Sequence, residues 1–325
     1  MSIKRIAVIT SGGDAPGMNA CLRAVVRSCK YYNLEVFGYY GGYDGLVNNE
    51  FTQLTSRSVS YILAQGGTML YTARSEAFRT KEGRQKAYDN LVANNVDGLV
   101  TIGGDGTFTG ATIFSQEFGI PVVGVPATID NDIYGTDYTI GYDTAVNTAL
   151  DALDKIRDTA SSHDRLFLVE VMGRNAGFIA LRCGVGSGAK AMLIPEKSMS
   201  DGELFVLLRK GINENKKSNI IIVAEGNPNG GPYDIAKRIG EKFPQFDIRV
   251  SILGHIQRGG KPSAFDRLLA SRLGVASVEA LLDGHAGKMV GIESEKIVHI
   301  PLKEAIENKP KINEDLIRIS NILSF

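Results

Sequence analysis

Residues 98–107 read GLVTIGGDGT, and the fold class follows from them. Gly98–Ile102 is a short apolar run of strand length, and Gly103-Gly104-Asp105-Gly106 follows as a turn that opens a helical pattern. The same unit recurs outward in both directions. Ile6–Ile9, Val122–Val125, Phe167–Val171 and Ile220–Ala224 read as further buried strands. Helical patterns cover Asn19–Tyr32, Ser58–Gln65, Glu82–Asn94, Thr144–Thr159 and Asp201–Asn215. Strands that alternate with helices and carry unbroken apolar runs predict an α/β fold with parallel sheets covered on both faces. Ligands of such sheets bind beyond the carboxyl ends of the strands, where these glycine turns fall.

The chain has 325 residues, enough for two α/β domains or one large one. Its 36 basic and 36 acidic side chains cancel, which removes any general electrostatic pull toward nucleic acid or an anionic membrane. Anion binding must then come from local arginines. Cys21, Cys29 and Cys183 are too few and too scattered for a disulfide framework or a zinc site, and they read as reduced cytoplasmic thiols. Ile6–Ile9 is too short an apolar core for a signal peptide or a membrane span. A change of character near 138–145 marks a candidate domain boundary, and the tail 308–325 has a helical pattern expected to pack back onto the body.

Three turns carry candidate chemistry. Ser11-Gly12-Gly13-Asp14 follows the first strand and precedes a helix, so its backbone can approach a phosphate; a tight turn without a ligand is the competing reading. In Gly103–Thr107 three glycines surround Asp105, a nest for phosphate oxygens with one Mg²⁺ ligand in it. Thr128-Ile129-Asp130-Asn131-Asp132 puts two carboxylates one residue apart after a buried strand. One can accept a proton from an attacking hydroxyl while the other supports metal-bound water. Arg74, Arg165, Arg174, Arg249 and Arg258 each read as lying beside a strand end or glycine turn, where guanidinium groups suit phosphate. His255 and Arg258 sit in Gly254–Gly260, read as a flexible loop. Gly184-Val185-Gly186-Ser187-Gly188-Ala189 matches a dinucleotide fingerprint but precedes a strand rather than a helix, and no P-loop sequence occurs.

SGGDAPGMNA (11–20), GGDGT (103–107), TIDND (128–132), GTDYTIG (135–141), RDTASSH (157–163), VEVMGRNAG (169–177) and GHIQRGG (254–260) together make the chain resemble bacterial-type ATP-dependent 6-phosphofructokinases over nearly its whole length. The resemblance implies two Rossmann-like three-layer α/β/α domains with mostly parallel sheets and the chain crossing between them. The ATP/Mg²⁺ domain would comprise 1–140 plus 256–304, and the fructose 6-phosphate domain 141–255 plus 305–325. It implies that Gly13, Arg74, Ser75, Gly104, Gly106 and Thr107 hold ATP, with Asp105 on Mg²⁺. Asp130 would act as base, flanked by Thr128, Ile129 and Asp132. Met172, Gly173, Arg174 and Glu225 would bind the sugar, and His255 and Arg258 its 6-phosphate. Arg165 and Arg249 would reach that phosphate from a neighbouring subunit of a homotetramer. A cytoplasmic enzyme is implied, with no nucleic-acid or membrane partner.

Two alternatives stay open on the same residues. Pyrophosphate-using relatives carry Asp in place of Gly106 and Lys in place of Ala127, so Gly106 favours ATP. A catalytically silent sugar-phosphate-binding subunit would not need Asp105, Asp130 and Arg74 together. A second, regulatory nucleotide site is implied at Arg23, Arg27, Arg157, Gly188, Lys190, Lys216 and Lys217. Ser56, Lys190 and Glu214 depart from the family pattern there, with Arg57 beside the first. Weak or absent activation by ADP, or a different effector, is the expectation.

Overall fold

The computed structural model describes residues 3–161, 165–213 and 219–323. They form two compact units, one from the chain up to Thr144 with Arg258–Pro310, the other from Ala145–Gln257 with the segment from Lys311 onward. In chain order the first unit begins with β1 (Arg5–Thr10), α1 (Met18–Tyr31), β2 (Glu35–Tyr39), α2 (Tyr43–Asn48) and β3 (Phe51–Gln53). It continues with α3 (Glu76–Arg79), α4 (Lys81–Ala93), β4 (Gly98–Gly103), α5 (Asp105–Phe118) and β5 (Val122–Pro126). Helix α6 (Tyr142–Ser161) leads into the second unit. There the chain forms β6 (Arg165–Val171), α7 (Phe178–Ser187), β7 (Ala191–Leu193), α8 (Asp201–Asn213), β8 (Asn219–Ala224), α9 (Pro232–Lys242) and β9 (Asp247–Ile252). It returns to the first unit through α10 (Ala264–Leu282), β10 (Lys288–Glu293), β11 (Lys296–Pro301) and α11 (Leu302–Glu307), and α12 (Glu314–Leu323) completes the second.

The first unit holds a seven-stranded sheet in the order β11-β10-β5-β4-β1-β2-β3. Its interior pairs are parallel, and antiparallel β3 and β11 close the edges. Successive residues of a strand face opposite ways. Ala7, Ile9 and Leu99 therefore join Leu46, Leu91, Phe108 and Phe114 in one core under α2, α4 and α5. Helices α1 and α10 pack against each other closely; a Cβ at Gly274 would lie 2.7 Å from both the Cys21 carbonyl and the Ala24 Cβ. The second unit is built on a parallel four-stranded sheet, β7-β8-β6-β9. Leu166, Leu168, Ile221 and Val223 pack there against Leu204 and Leu208 of α8 and Ile235 and Ile239 of α9. The tail helix α12 packs on α7.

Two expectations change, and the rejected dinucleotide pattern gains a structural reason. Ser58–Gln65 is not a helix but a run of turns ending in one 3₁₀ turn, Ile62–Ala64. Tyr61 takes φ 68°, which breaks any helix. The Asn19 side chain instead serves the backbone beyond it, donating to Gln65 O and Gly66 O and accepting from Met69 N–H. The loop expected at Gly254–Gly260 begins as a 3₁₀ turn, Gly254–Arg258, in which buried Gln257 donates to Gly254 O at 3.1 Å. Gly184 and Gly186 lie inside α7, and Gly188 caps it with φ 60°, so the dinucleotide pattern has no strand before it. A Cβ on Gly184 would collide with Met192, which makes it a packing glycine. Among the described residues no helix is long and apolar enough to cross a membrane.

Candidate active site

The three sequence turns of the first unit are stitched together by their backbones. Ser11 N–H donates to Ile102 O at 3.0 Å, and Ala127 N–H donates to Gly103 O at 2.9 Å. A side chain on Gly103 would collide with Ser11 O and Thr107 Oγ1, so only glycine permits this approach. Residues 11–19, 103–107 and 127–132 thus open on one carboxyl edge, above the adjacent strands β1, β4 and β5. Space lies in front of them: a Cβ on Gly106 would meet nothing within 4 Å, and one on Gly104 only the Thr128 Cβ at 3.7 Å. Exposed Arg74 sits on the same edge. Its segment is tied down where the Thr10 hydroxyl donates to Tyr71 O (2.9 Å) and where Ser75, the N-cap of α3, donates to Asp44 (3.0 Å).

Asp105 is the first residue of α5, where the helix dipole favours a carboxylate. Its Oδ2 accepts from Lys309 Nζ at 2.8 Å, while Oδ1 is buried without a hydrogen-bond partner. No group of three or more His, Cys, Asp or Glu among the described residues could cage a metal. One carboxylate with an orphaned oxygen fits Mg²⁺, which uses one or two protein carboxylates and takes its other ligands from phosphates and water. Asp130 is only 5% exposed, and its N–H donates to Thr128 Oγ1 at 3.2 Å. Ile129 is fully buried, so only its backbone can face a ligand, and Asp132 is half-buried. Asn131 holds φ 53°, in the left-handed region that asparagine enters more readily than other side chains. Arg258 belongs to this unit as well. Its guanidinium lies over Gly13 and donates to Asp14 O at 3.3 Å.

In the second unit Met172, Gly173 and Arg174 leave the carboxyl end of β6 beside Glu225, which leaves β8. Glu225 N–H donates to Val171 O, and Arg174 N–H donates to Glu225 Oε2, both at 3.0 Å. Arg174 holds φ 54°. Leu253 N–H donates to Glu170 O at 3.1 Å and brings the exposed His255 turn to this edge. Burial, helped by repulsion from Glu225, raises the Glu170 carboxyl above its ordinary range. Arg165 and Arg249 are elsewhere. Arg165 opens β6, and Arg249, expected beside a strand end, is instead an exposed residue within edge strand β9. Both bind Asp247, at 2.8 and 3.0 Å, and hold its carboxyl below the usual range, Arg165 foremost. The length of β6 separates them from Met172 by about 20 Å, so one unit does not join the two sets.

A family model described as Phosphofructokinase matches residues 5–281. The chain belongs to the phosphofructokinase family. It is 55% identical over 322 residues to an ATP-dependent 6-phosphofructokinase of Cytophaga hutchinsonii, covering 99% of this chain and 98% of that one. It is 54% identical over 322 residues to ATP-dependent 6-phosphofructokinase 1 of Thermus thermophilus, covering 99% and 100%. Among solved structures, phosphofructokinase from Saccharomyces cerevisiae superimposes with a TM-score of 0.89 at 38% identity. That match covers 94% of this chain and 45% of the yeast chain.

The residues of the expected regulatory site in this phosphofructokinase divide between the units. Half-buried Arg23 and exposed Arg27 stand one turn apart on α1 of the first. Ser56 is half-buried and Arg57 exposed in that unit. In the second, Arg157 donates to Ser187 O beside Gly188, and Lys190 is buried. Lys216, Lys217 and Glu214 lie outside the described residues. Sequence reasoning missed Lys309 altogether, since nothing near it in the chain signals a partner more than two hundred residues away.

Proposed function

We propose that this phosphofructokinase transfers the γ-phosphoryl group of ATP to the 1-hydroxyl of fructose 6-phosphate, giving ADP and fructose 1,6-bisphosphate, the committed step of glycolysis. The observation that carries the reading is the stitched edge, where open glycine turns, the free oxygen of Asp105 and the buried Asp130 share one face. The first unit would hold ATP, with Gly13, Ser75, Gly104, Gly106 and Thr107 around the nucleotide and Arg74 on its phosphates. Bound Mg²⁺ would supply neutralisation of the phosphate charge, with Asp105 as its protein ligand. Asp130 would take the proton of the attacking hydroxyl, with Thr128 and Asp132 orienting it. Met172, Gly173, Arg174 and Glu225 would grip the sugar, with His255 and Arg258 at its 6-phosphate. Phosphoryl transfer depends chiefly on positioning and on charge placed in advance, which suits turns locked by backbone hydrogen bonds.

ATP rather than pyrophosphate is favoured by the open space at Gly106, which an aspartate would fill with negative charge. A cytoplasmic homotetramer is part of the reading, because Arg165 and Arg249 at the far end of β6 and β9 would serve a neighbouring subunit. Buried Lys190 supports weak activation by ADP. A coupled assay of ADP release tests the core: Mg²⁺-dependent turnover with ATP that requires fructose 6-phosphate is expected. Turnover with pyrophosphate alone, or binding without turnover, would reject it. Titrating fructose 6-phosphate with and without ADP tests the regulatory part.

A further inference from the structure

Asp266, on the first turn of α10, is fully buried, and the sequence gives it no role. Its carboxylate accepts three hydrogen bonds: from Gly141 N–H at 2.9 Å, Thr144 N–H at 2.8 Å and the Thr144 hydroxyl at 2.5 Å. These donors are the residue before α6 and the third residue of that helix, so Asp266 caps the start of α6 from 122 or more positions away. A buried carboxylate without a cation is costly unless donors surround it. Here they do. The arrangement is braced again where Ser263 N–H donates to Thr144 Oγ1 (2.9 Å) and the Ser263 hydroxyl donates to Asp143 (2.6 Å).

The segment gripped by Asp266 runs directly into the turn that carries Asp130. Ile140 N–H donates to Pro126 O at 3.0 Å. Thr139 donates its hydroxyl to Thr128 O at 2.6 Å and its N–H to Asn131 Oδ1 at 2.8 Å, so it fixes both flanks of Asp130. Asp266 also lies near the first glycine turn, since a Cβ on Gly17 would lie 3.7 Å from the Asp266 Cβ. We propose that Asp266 is a positioning residue for phosphoryl transfer, holding residues 139–144 so that Thr139 fixes the Asp130 turn. This rests on the kinase reading above. A misplacement of about 1 Å in a reacting group lowers turnover about 100-fold, so a remote anchor can control the rate.

The test is a double-mutant cycle on kcat with Asp266→Asn, Thr139→Val and the pair. Asn keeps the size but turns an amide N–H₂ toward N–H donors. Asp266→Asn should lower kcat about 10- to 100-fold with KM for ATP nearly unchanged. The double variant should be little worse than the poorer single one, because both act along one route. Leu281→Ala, in the buried half of α10, provides a control that lowers Tm while leaving kcat alone. If Asp266→Asn does not fold, Thr144→Val takes its place in the cycle. Wild-type kcat in Asp266→Asn, multiplicative losses in the double variant, or a kcat loss equalled by Leu281→Ala would each overturn the inference. Absence of ATP turnover in the wild type would instead remove the kinase reading.

Discussion

The two units present their candidate residues in different ways. In the first, Asp130 is buried and Asp105 is fixed at a helix start, and both sit on turns joined by backbone hydrogen bonds. In the second, Arg174, Glu225, Arg249 and His255 are exposed, and the arginines at the amino end of the sheet are occupied with Asp247. The contrast fits a division of labour. On the proposed reading, chemistry that tolerates little displacement would be held by main chain, whereas recognition of a phosphate ester would be left to long, adaptable cations. The largest test of this contrast is Asp130→Ser. It should lower kcat by about 10²–10⁴ with KM for ATP nearly unchanged, measured by coupled assay. Turnover close to wild type would take the base role from Asp130 and the contrast with it.

Next in size is the pH dependence of the buried side. Burial pushes the Asp266 carboxyl up to about 6, repulsion from Asp143 adds to this, and the Thr144 and Gly141 donors oppose it. A folded value above the ordinary carboxylate value of about 3.9 stabilises the protonated form, so the contribution is full below that value and is lost as pH rises through about 6. Between pH 4 and pH 7 the wild type should therefore lose about 2 kcal/mol of stability relative to Asp266→Asn, by urea denaturation. Parallel curves for the two proteins would show that Asp266 does not titrate in this way.

In the second unit, Arg165→Ala should raise KM for fructose 6-phosphate by about 10- to 100-fold, the worth of a charged hydrogen bond, and change kcat little. A loss of kcat with unchanged KM would place Arg165 outside the sugar-phosphate site and blur the division between the units.

The sequence was most legible where local rules suffice. The glycine turns after apolar strands located the edge of the first sheet, because strand period and turn chemistry are short-range. Ser58–Gln65 misled because Val59 and Ile62 have helical spacing, yet the distant Asn19 side chain satisfies the backbone there. Edge strand β9 was missed for the opposite reason: its pattern, Asp247-Ile248-Arg249-Val250, alternates instead of forming an apolar run. That alternation, with Asp247 and Arg249 on one face, was the available signal. Lys309 and Asp266 gave no signal at all, since each acquires its role from a partner more than a hundred positions away.

Two glycines of one turn sharpen the comparison at smaller scale. Gly103→Ala forces a methyl against Ser11 O and Thr107, so it should cost about 1–3 kcal/mol in Tm-derived stability as well as ATP affinity. Gly106→Ala meets open space and lies in the first turn of α5, where alanine favours helix by up to about 1 kcal/mol. It should leave Tm equal or higher while weakening ATP binding, because its methyl occupies the nucleotide's room. Equal loss of Tm in both would mean that the space at Gly106 is not the cradle.

The smallest effect belongs to Lys309. Its side chain is 63% exposed, and its ion pair with Asp105 is worth about 0–1 kcal/mol, so Lys309→Met should shift Tm little. Asp105 Oδ2 would then lose its partner while Oδ1 stays buried, leaving a carboxylate with no cation beside it. A divalent cation should be attracted more strongly once the ammonium no longer competes, so Mn²⁺ should bind free Lys309→Met more tightly than wild type by electron paramagnetic resonance. Weaker Mn²⁺ binding would show that Lys309 holds the carboxylate in its metal-binding orientation rather than competing for it.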